Sequence, residues 1–170
     1  MKNITEHLAQ YACYHRDRRN IATHLVGIPL IVLGIVILLS RPQFMLFGLS
    51  LSPAYLVALF AAVYYVRLDT ALGVLMAVLL AICLWVGEGA ALLQTTSWLG
   101  LGIGLFVLGW AFQFIGHYFE GRKPAFVDDI TGLVIGPLFV VTEVVFMLGL
   151  RKSLKAQVES RVAELMPPGN

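Results

Sequence analysis

The chain has 170 residues, 59% hydrophobic and 13% charged, with a formal net charge of +2 and a mean hydropathy of +0.83. A soluble domain keeps roughly a quarter of its residues charged, so this composition excludes a water-soluble globule and points to an integral membrane protein. The slight basic excess sits at the ends of apolar segments, which argues against nucleic acid as a partner and for membrane lipids as the surroundings.

The first twenty residues are polar (HLAQYACYHRDRRN), so no cleavable signal peptide is expected. Ile4, Leu8, Tyr11 and Tyr14 or His15 recur at helical spacing, which predicts a helix over 3–18 lying on the membrane surface, with His7 as part of it. Crossing a bilayer takes about 20 predominantly apolar residues. Five stretches qualify as hydrophobic segments: 21–39, 44–66, 70–93, 98–116 and 130–150. Short joints (SRPQ, RLD, QTTS) link the first four, and short joints make antiparallel neighbours. A longer charged loop over 117–129 precedes the fifth. The fold class expected is an all-α membrane protein, a compact bundle of four to five hydrophobic segments with an N-terminal surface helix, in one domain over 1–170.

Basic residues favour the cytoplasmic side of a span. Lys2, Arg16, Arg18 and Arg19 precede the first segment, Arg67 lies between the second and third, and Arg122 and Lys123 follow the fourth. All lie on one side if the chain starts inside. The basic tail over 151–170, with Arg151, Lys152, Lys155 and Arg161, would emerge outside if 130–150 crossed once. Gly136-Pro137 suggests a broken or re-entrant segment that returns the tail to the cytoplasm, since proline removes a helical hydrogen bond. Gly100, Gly102 and Gly104, with Gly132 and Gly136, include GxxxG spacings that let membrane helices approach closely. Cys13 and Cys83 belong to no CxxC pair and are read as packing residues, not a disulfide.

The polar residues that remain are few. Two of the four histidines in the chain, His15 and His24, stand nine apart. That spacing puts them on opposite faces of a straight helix. Asn20 is a good N-cap, so a bend at 18–20 would let His15 fold back toward His24. Pro29 is expected to kink the following helix. In FQFIGHYFEGRKPA, Gln113, His117 and Glu120 form one helical stripe at i, i+4 and i+7, stopped by Pro124. An even number of crossings brings the end of the fourth segment back to the side where the first begins. His15, His24 and His117 can therefore meet at one depth with Glu120 close by. Imidazole suits zinc, copper, nickel and iron alike. Arg18, Arg19, Arg122 and Lys123 are read as phosphate-level anchors, with the alternative that Arg19, Arg122 or Lys123 receives a substrate carboxylate. Glu88 and Glu143 lie inside apolar runs, where an ionisable group is a functional candidate or a protonated packing residue. Glu143 could come under the histidines if the fifth segment folds back. Asp128 and Asp129 are expected to cap the last hydrophobic helix.

The pattern YHxxxxNxxxH over 14–24, followed by GIP, and the block GWAFQFIGHYFEGRKPAFVDD over 109–129 resemble a family of small multispan membrane proteins. This family, formerly of unknown function, includes the fungal endoplasmic-reticulum 2-hydroxy fatty acid dioxygenase. The resemblance runs from about residue 11 to about 155, and its second block is the more specific. It implies an Fe(II)-dependent dioxygenase of fatty acid α-oxidation that takes a 2-hydroxy fatty acid and O₂ and removes one carbon. It implies Fe²⁺ as the cofactor, with His15, His24 and His117 as its ligands. Asn20, Gln113, Glu120 and Pro124 become motif residues, the first three as catalytic-site candidates. Glu120 could complete the ligand set or fix an imidazole N–H. The site would lie near the cytoplasmic face of the inner membrane in a bacterium, or of the endoplasmic reticulum in a eukaryote.

Two other readings use the same residues. One is a different metal-dependent lipid-modifying or hydrolytic membrane enzyme. The other is a transporter or organiser with structural histidines, against which stands the near absence of polar midplane residues in segments one, two and four.

Overall fold

The computed structural model describes residues 2–125 and 129–167. Among these the elements are α1 (Ile4–Ala12), α2 (Arg18–Ser40), β1 (Phe44–Leu46), β2 (Leu49–Leu51), α3 (Pro53–Leu68), α4 (Thr70–Ala91), α5 (Thr95–Glu120), α6 (Gly132–Met147) and α7 (Lys152–Leu165). The all-α fold class is as expected, with one small hairpin added. Three helices, α2, α4 and α5, are long and apolar enough to cross a membrane. The pair α6 and α7, bent by 119°, makes a fourth if counted as one span.

Four expected boundaries change. The segment over 44–66 begins as a hairpin, in which Phe44 pairs with Leu51 and Leu46 with Leu49. Phe47 and Gly48 form its turn, with φ of 51° and 80°. A two-residue turn with positive φ at both positions matches the twist of paired strands. That leaves α3 with 16 residues, about 24 Å of helix at 1.5 Å per residue. The surface helix over 3–18 stops at Ala12, and its apolar face packs against α6 and α7, not against lipid. The bend expected at 18–20 falls earlier, over 13–17. Asp17 caps α2, accepting from the Arg19 N–H at 2.8 Å, so Asn20 lies within the helix. Finally, α6 continues through Pro137, as α2 does through Pro29. The break comes at 148–151 instead, where Gly149 and Arg151 take left-handed conformations with φ of 75° and 52°.

The described residues fall into two compact units. The unit over 26–111 holds the hairpin, α3, α4 and the neighbouring lengths of α2 and α5. Its close backbone approaches include Gly34, against the Gly102 carbonyl and Phe106, Gly109, against the Gly27 carbonyl, and Gly73, against Tyr65 and Val66. Gly100 and Gly104 have open space beside them, so the GxxxG spacing there is not a contact. Glu88 lines a cavity with Arg41 and Trp85.

The other unit joins residues up to 25 with those from 112 onward. It contains α1, the first turns of α2, the last turns of α5, α6 and α7. Leu8 and Ala9 of α1, Leu138 and Phe139 of α6, and Leu154, Val158 and Val162 of α7 form its core. Arg161 ties α7 to α1 through Glu6 at 2.9 Å. Glu143 faces Lys155 and Glu159, so of the two readings left open for it the place under the histidines is not the one taken. Asp129 accepts from Thr131 N and Oγ1 at 3.0 and 2.7 Å ahead of α6, while Asp128 lies outside the described residues. Cys13 and Cys83 are free thiols.

Candidate metal centre

Three imidazoles from three parts of the chain meet inside the second unit. His15 is carried by the loop between α1 and α2, His24 by the second turn of α2, and His117 by the last turn of α5. Their exposures are 3%, 1% and 7%. Ring centroids lie 4.5 Å apart for His15 and His24, 5.1 Å for His15 and His117, and 4.9 Å for His24 and His117. One ring nitrogen from each lies within 4.8 Å of the others. No other group of three or more candidate ligands exists among the described residues.

Hydrogen bonds decide which nitrogens are available. His15 Nδ1 donates to the Tyr11 carbonyl at 2.8 Å and His24 Nδ1 to the Asn20 carbonyl at 2.9 Å. A carbonyl can only accept, so each Nδ1 carries the proton and each neutral ring has a bare Nε2. Those two Nε2 atoms face each other at 3.0 Å. Lone pair against lone pair is repulsive unless a proton or a cation lies between them. Two imidazole nitrogens bound about 2.1 Å from one ion at a right angle would lie about 3 Å apart, which matches. Of five buried side-chain polar atoms without a partner among the described residues, three lie on residues at this cluster, His117 Nδ1, Gln113 Nε2 and Asn20 Oδ1, and two, Arg41 Nη1 and Ser52 Oγ, lie in the other unit. Buried polar atoms are almost always satisfied, so the three orphans at the histidines fit a site that accepts a metal and its other ligands.

The local sequence explains the convergence. After Ala12 the chain leaves its helix, and the loop folds back because Glu120 holds it. The Glu120 carboxylate accepts from Arg16 N at 2.9 and 3.0 Å and from Asp17 N and Asn20 Nδ2, both at 2.9 Å. Both its oxygens are thus committed, and it stands outside the ligand cluster. The expectations that Glu120 ligates the metal or orients an imidazole are corrected: backbone carbonyls orient the His15 and His24 rings, and Glu120 anchors the loop. Replacing Glu120 with alanine should cost at least about 2 kcal/mol, since hydrogen bonds to a charged group each contribute about 1.5–3 and solvent screens this half-buried carboxylate, and should weaken metal binding about tenfold. Faster amide exchange at Arg16 and Asp17 would report the released loop.

Other expected residues are placed as follows. Asn20 is fully buried and bridges Glu120 to the Tyr14 carbonyl, the latter at 3.4 Å. Gln113 is buried one turn before His117. Arg19 is bound to Asp17 at 2.7 Å and lies over the Phe119 ring at 4.5 Å, so its charge is already paired at the surface. Arg122 donates to the Cys13 carbonyl at 3.1 Å. Lys123 is exposed and is not among the residues that line the cavity described below.

Three residues escaped the sequence reading. Tyr11 stacks on His15, centroids 4.2 Å apart and 4° from parallel; its i, i+4 spacing was the available signal. Phe139 of α6 packs beside both rings, 4.8 Å from Tyr11 and 5.6 Å from His15. Gly116 brings α5 against the first turns of α2: a Cβ there would run into Thr23 Oγ1 and Asn20 Oδ1 and come within 3.1 Å of His24 Nδ1.

Burial lowers His15 to about 4, opposed by its bond to the Tyr11 carbonyl, so the ring is neutral at pH 7. An unfolded histidine titrates near 6.5. The folded-state pKa lies below the unfolded one, so the unfolded chain binds the extra proton as pH falls. The contribution of His15 to stability is therefore complete above about pH 6.5 and declines toward pH 4. The melting temperature of metal-free protein in detergent should drop across that window, with a shallower slope in His15→Gln.

Fold and site together define a helical membrane protein with a buried three-histidine cluster able to bind a metal ion. The chain belongs to the Mpo1-like family: the family model described as 2-hydroxy-palmitic acid dioxygenase Mpo1-like matches residues 1–148. It is 31% identical over 161 residues to the 2-hydroxy-palmitic acid dioxygenase MPO1 of Saccharomyces cerevisiae, covering 92% of this chain and 88% of the yeast protein. No solved structure matches.

Proposed function

We infer that this protein is an Fe(II)-dependent dioxygenase of 2-hydroxy fatty acids, with His15, His24 and His117 as the iron ligands and the site near the cytoplasmic membrane face. The observation that carries the reading is the pair of buried, bare Nε2 atoms 3.0 Å apart, in a chain whose yeast relative bears that activity in its name. Overall, the C1–C2 bond breaks, C1 leaves as CO₂, C2 becomes the carboxyl of an acid one carbon shorter, and one water forms. One O₂ takes up all the electrons released. Ferrous iron, when bound, supplies the one-electron chemistry with O₂ that side chains lack.

This chain's own residues perform the rest. The Tyr11 and Asn20 carbonyls fix the tautomers, so that His15 and His24 offer Nε2 and not Nδ1. Three neutral imidazoles leave a divalent ion's charge uncompensated, which suits an anionic substrate. Gln113 Nε2, buried and unpartnered, is positioned to donate a hydrogen bond to a substrate oxygen. Burial excludes water from the cluster and strengthens such interactions. Purified protein supplied with Fe²⁺, O₂ and 2-hydroxyhexadecanoic acid should form pentadecanoic acid, and none without O₂. Recovery of intact substrate from fully iron-loaded, aerated protein would refute the assignment.

A further inference from the structure

A cavity of about 450 Å³ lies within the same unit and shares Tyr11 with the histidine cluster. Tyr11 lines it and also stacks on His15 at 4.2 Å, so one side chain belongs to both the cavity and the cluster. Its wall divides chemically: His7, Gln10 and Arg122 are polar, whereas Tyr11, Ile135 and Met166 are largely apolar. The volume falls within the usual range for small-molecule sites, about 300–1,000 Å³.

The charge in the cavity is one-sided. Arg122 spends one N–H on the Cys13 carbonyl, and among the described residues no carboxylate pairs with it. Asp129 also lines the cavity, but its carboxylate already accepts from Thr131 N and Oγ1 and faces Lys2 at 3.7 Å. His7 adds no fixed charge. Among the described residues what remains is a guanidinium without a carboxylate partner, at the edge of an apolar hollow, which complements an amphiphile with one anionic head. Of the three basic residues considered for a substrate carboxylate, Arg19 is paired with Asp17 and Lys123 does not line the cavity, which leaves Arg122.

We propose that this cavity binds the 2-hydroxy acid, its carboxylate on the Arg122 guanidinium and its alkyl chain against Tyr11, Ile135 and Met166, an assignment that rests on the dioxygenase reading. Arginine forms charge-assisted, often bidentate bonds to a carboxylate, and glutamine keeps a donor without the charge. Arg122 is then a substrate-binding residue and plays no part in holding iron.

The test uses the iron-loaded full chain without O₂, titrated with 2-hydroxyhexadecanoic acid and followed by tryptophan fluorescence or calorimetry. Arg122→Gln should weaken binding at least about tenfold while leaving iron content unchanged, and with O₂ should raise KM far more than it lowers kcat. Hexadecanol, which lacks the carboxylate, should bind the wild type and Arg122→Gln equally. Ile135→Trp, which fills the hollow, should weaken the sixteen-carbon acid and spare a short 2-hydroxy acid. If Arg122→Gln loses iron through misfolding, Arg122→Lys and Ile135→Trp decide. An unchanged Kd for the long acid in the iron-loaded variants would overturn the assignment even if the wild type turns over. Arg122-dependent binding with no chain shortening would instead leave the cavity assignment standing and defeat the dioxygenase reading.

Discussion

Alanine at His15, His24 or His117 should each, singly, lower iron affinity by at least about 100-fold and reduce chain shortening to background. The lower bound follows because even residues that only orient a metal ligand change affinity 10–100-fold when removed. A ligand that binds only the folded state stabilises it by about 2.7 kcal/mol when its free concentration is a hundred times Kd. Wild-type protein should therefore melt measurably higher with Fe²⁺ than without, and each variant should lose that increment. Metal-free stability should behave differently. The facing Nε2 atoms of His15 and His24 are an electrostatic cost without an ion, so removing one ring relieves repulsion as it opens a cavity. Comparing melting with and without iron separates loss of a ligand from loss of packing. Glu143→Gln is the control, since it faces Lys155 and Glu159 and should keep the full iron-dependent increment.

Gly116→Ala should be nearly as damaging, though it removes no chemical group. The added methyl has no space between α5 and the first turns of α2, and overpacking a dense interior costs about 1–3 kcal/mol. Any shift that relieves the clash moves His117 relative to His24 and disturbs Asn20, which links α2 to Glu120. Iron affinity should fall about 10–100-fold while helix content is retained. Gly104→Ala, on the same helix but with open space beside it, should keep wild-type iron affinity. Equal iron affinity in both variants would mean that this close approach does not position the histidines.

The convergence of His15, His24 and His117 was legible because it depends on helix count and side-chain spacing, both of which hydropathy and periodicity reveal. So was the need for a bend between His15 and His24, since nine residues on one straight helix would separate the rings. The cause of the bend was not legible. A carboxylate that accepts from backbone N–H groups a hundred residues away leaves no side-chain signature, so Glu120 read as a metal partner when it is the anchor of a loop. Asn20 looked like an N-cap because its type favours caps, yet Asp17 takes that place and Asn20 is buried beside Glu120. The hairpin at Phe44–Leu51 was hidden because its residues are as apolar as a span. Only Gly48, between Pro42 and Pro53, signalled a turn. Arg151, in a left-handed conformation, broke the last hydrophobic segment where Pro137 had been expected to.

X-ray absorption at the iron edge of purified, Fe²⁺-loaded protein tests the central claim most directly. The protein should hold near-stoichiometric iron whose nearest shell is nitrogen and oxygen at about 2.1 Å, with the multiple-scattering signature of three imidazoles, falling to two in each single histidine variant. Iron that is not retained, or retained with an imidazole signature unchanged in His15→Ala, His24→Ala and His117→Ala, would contradict it.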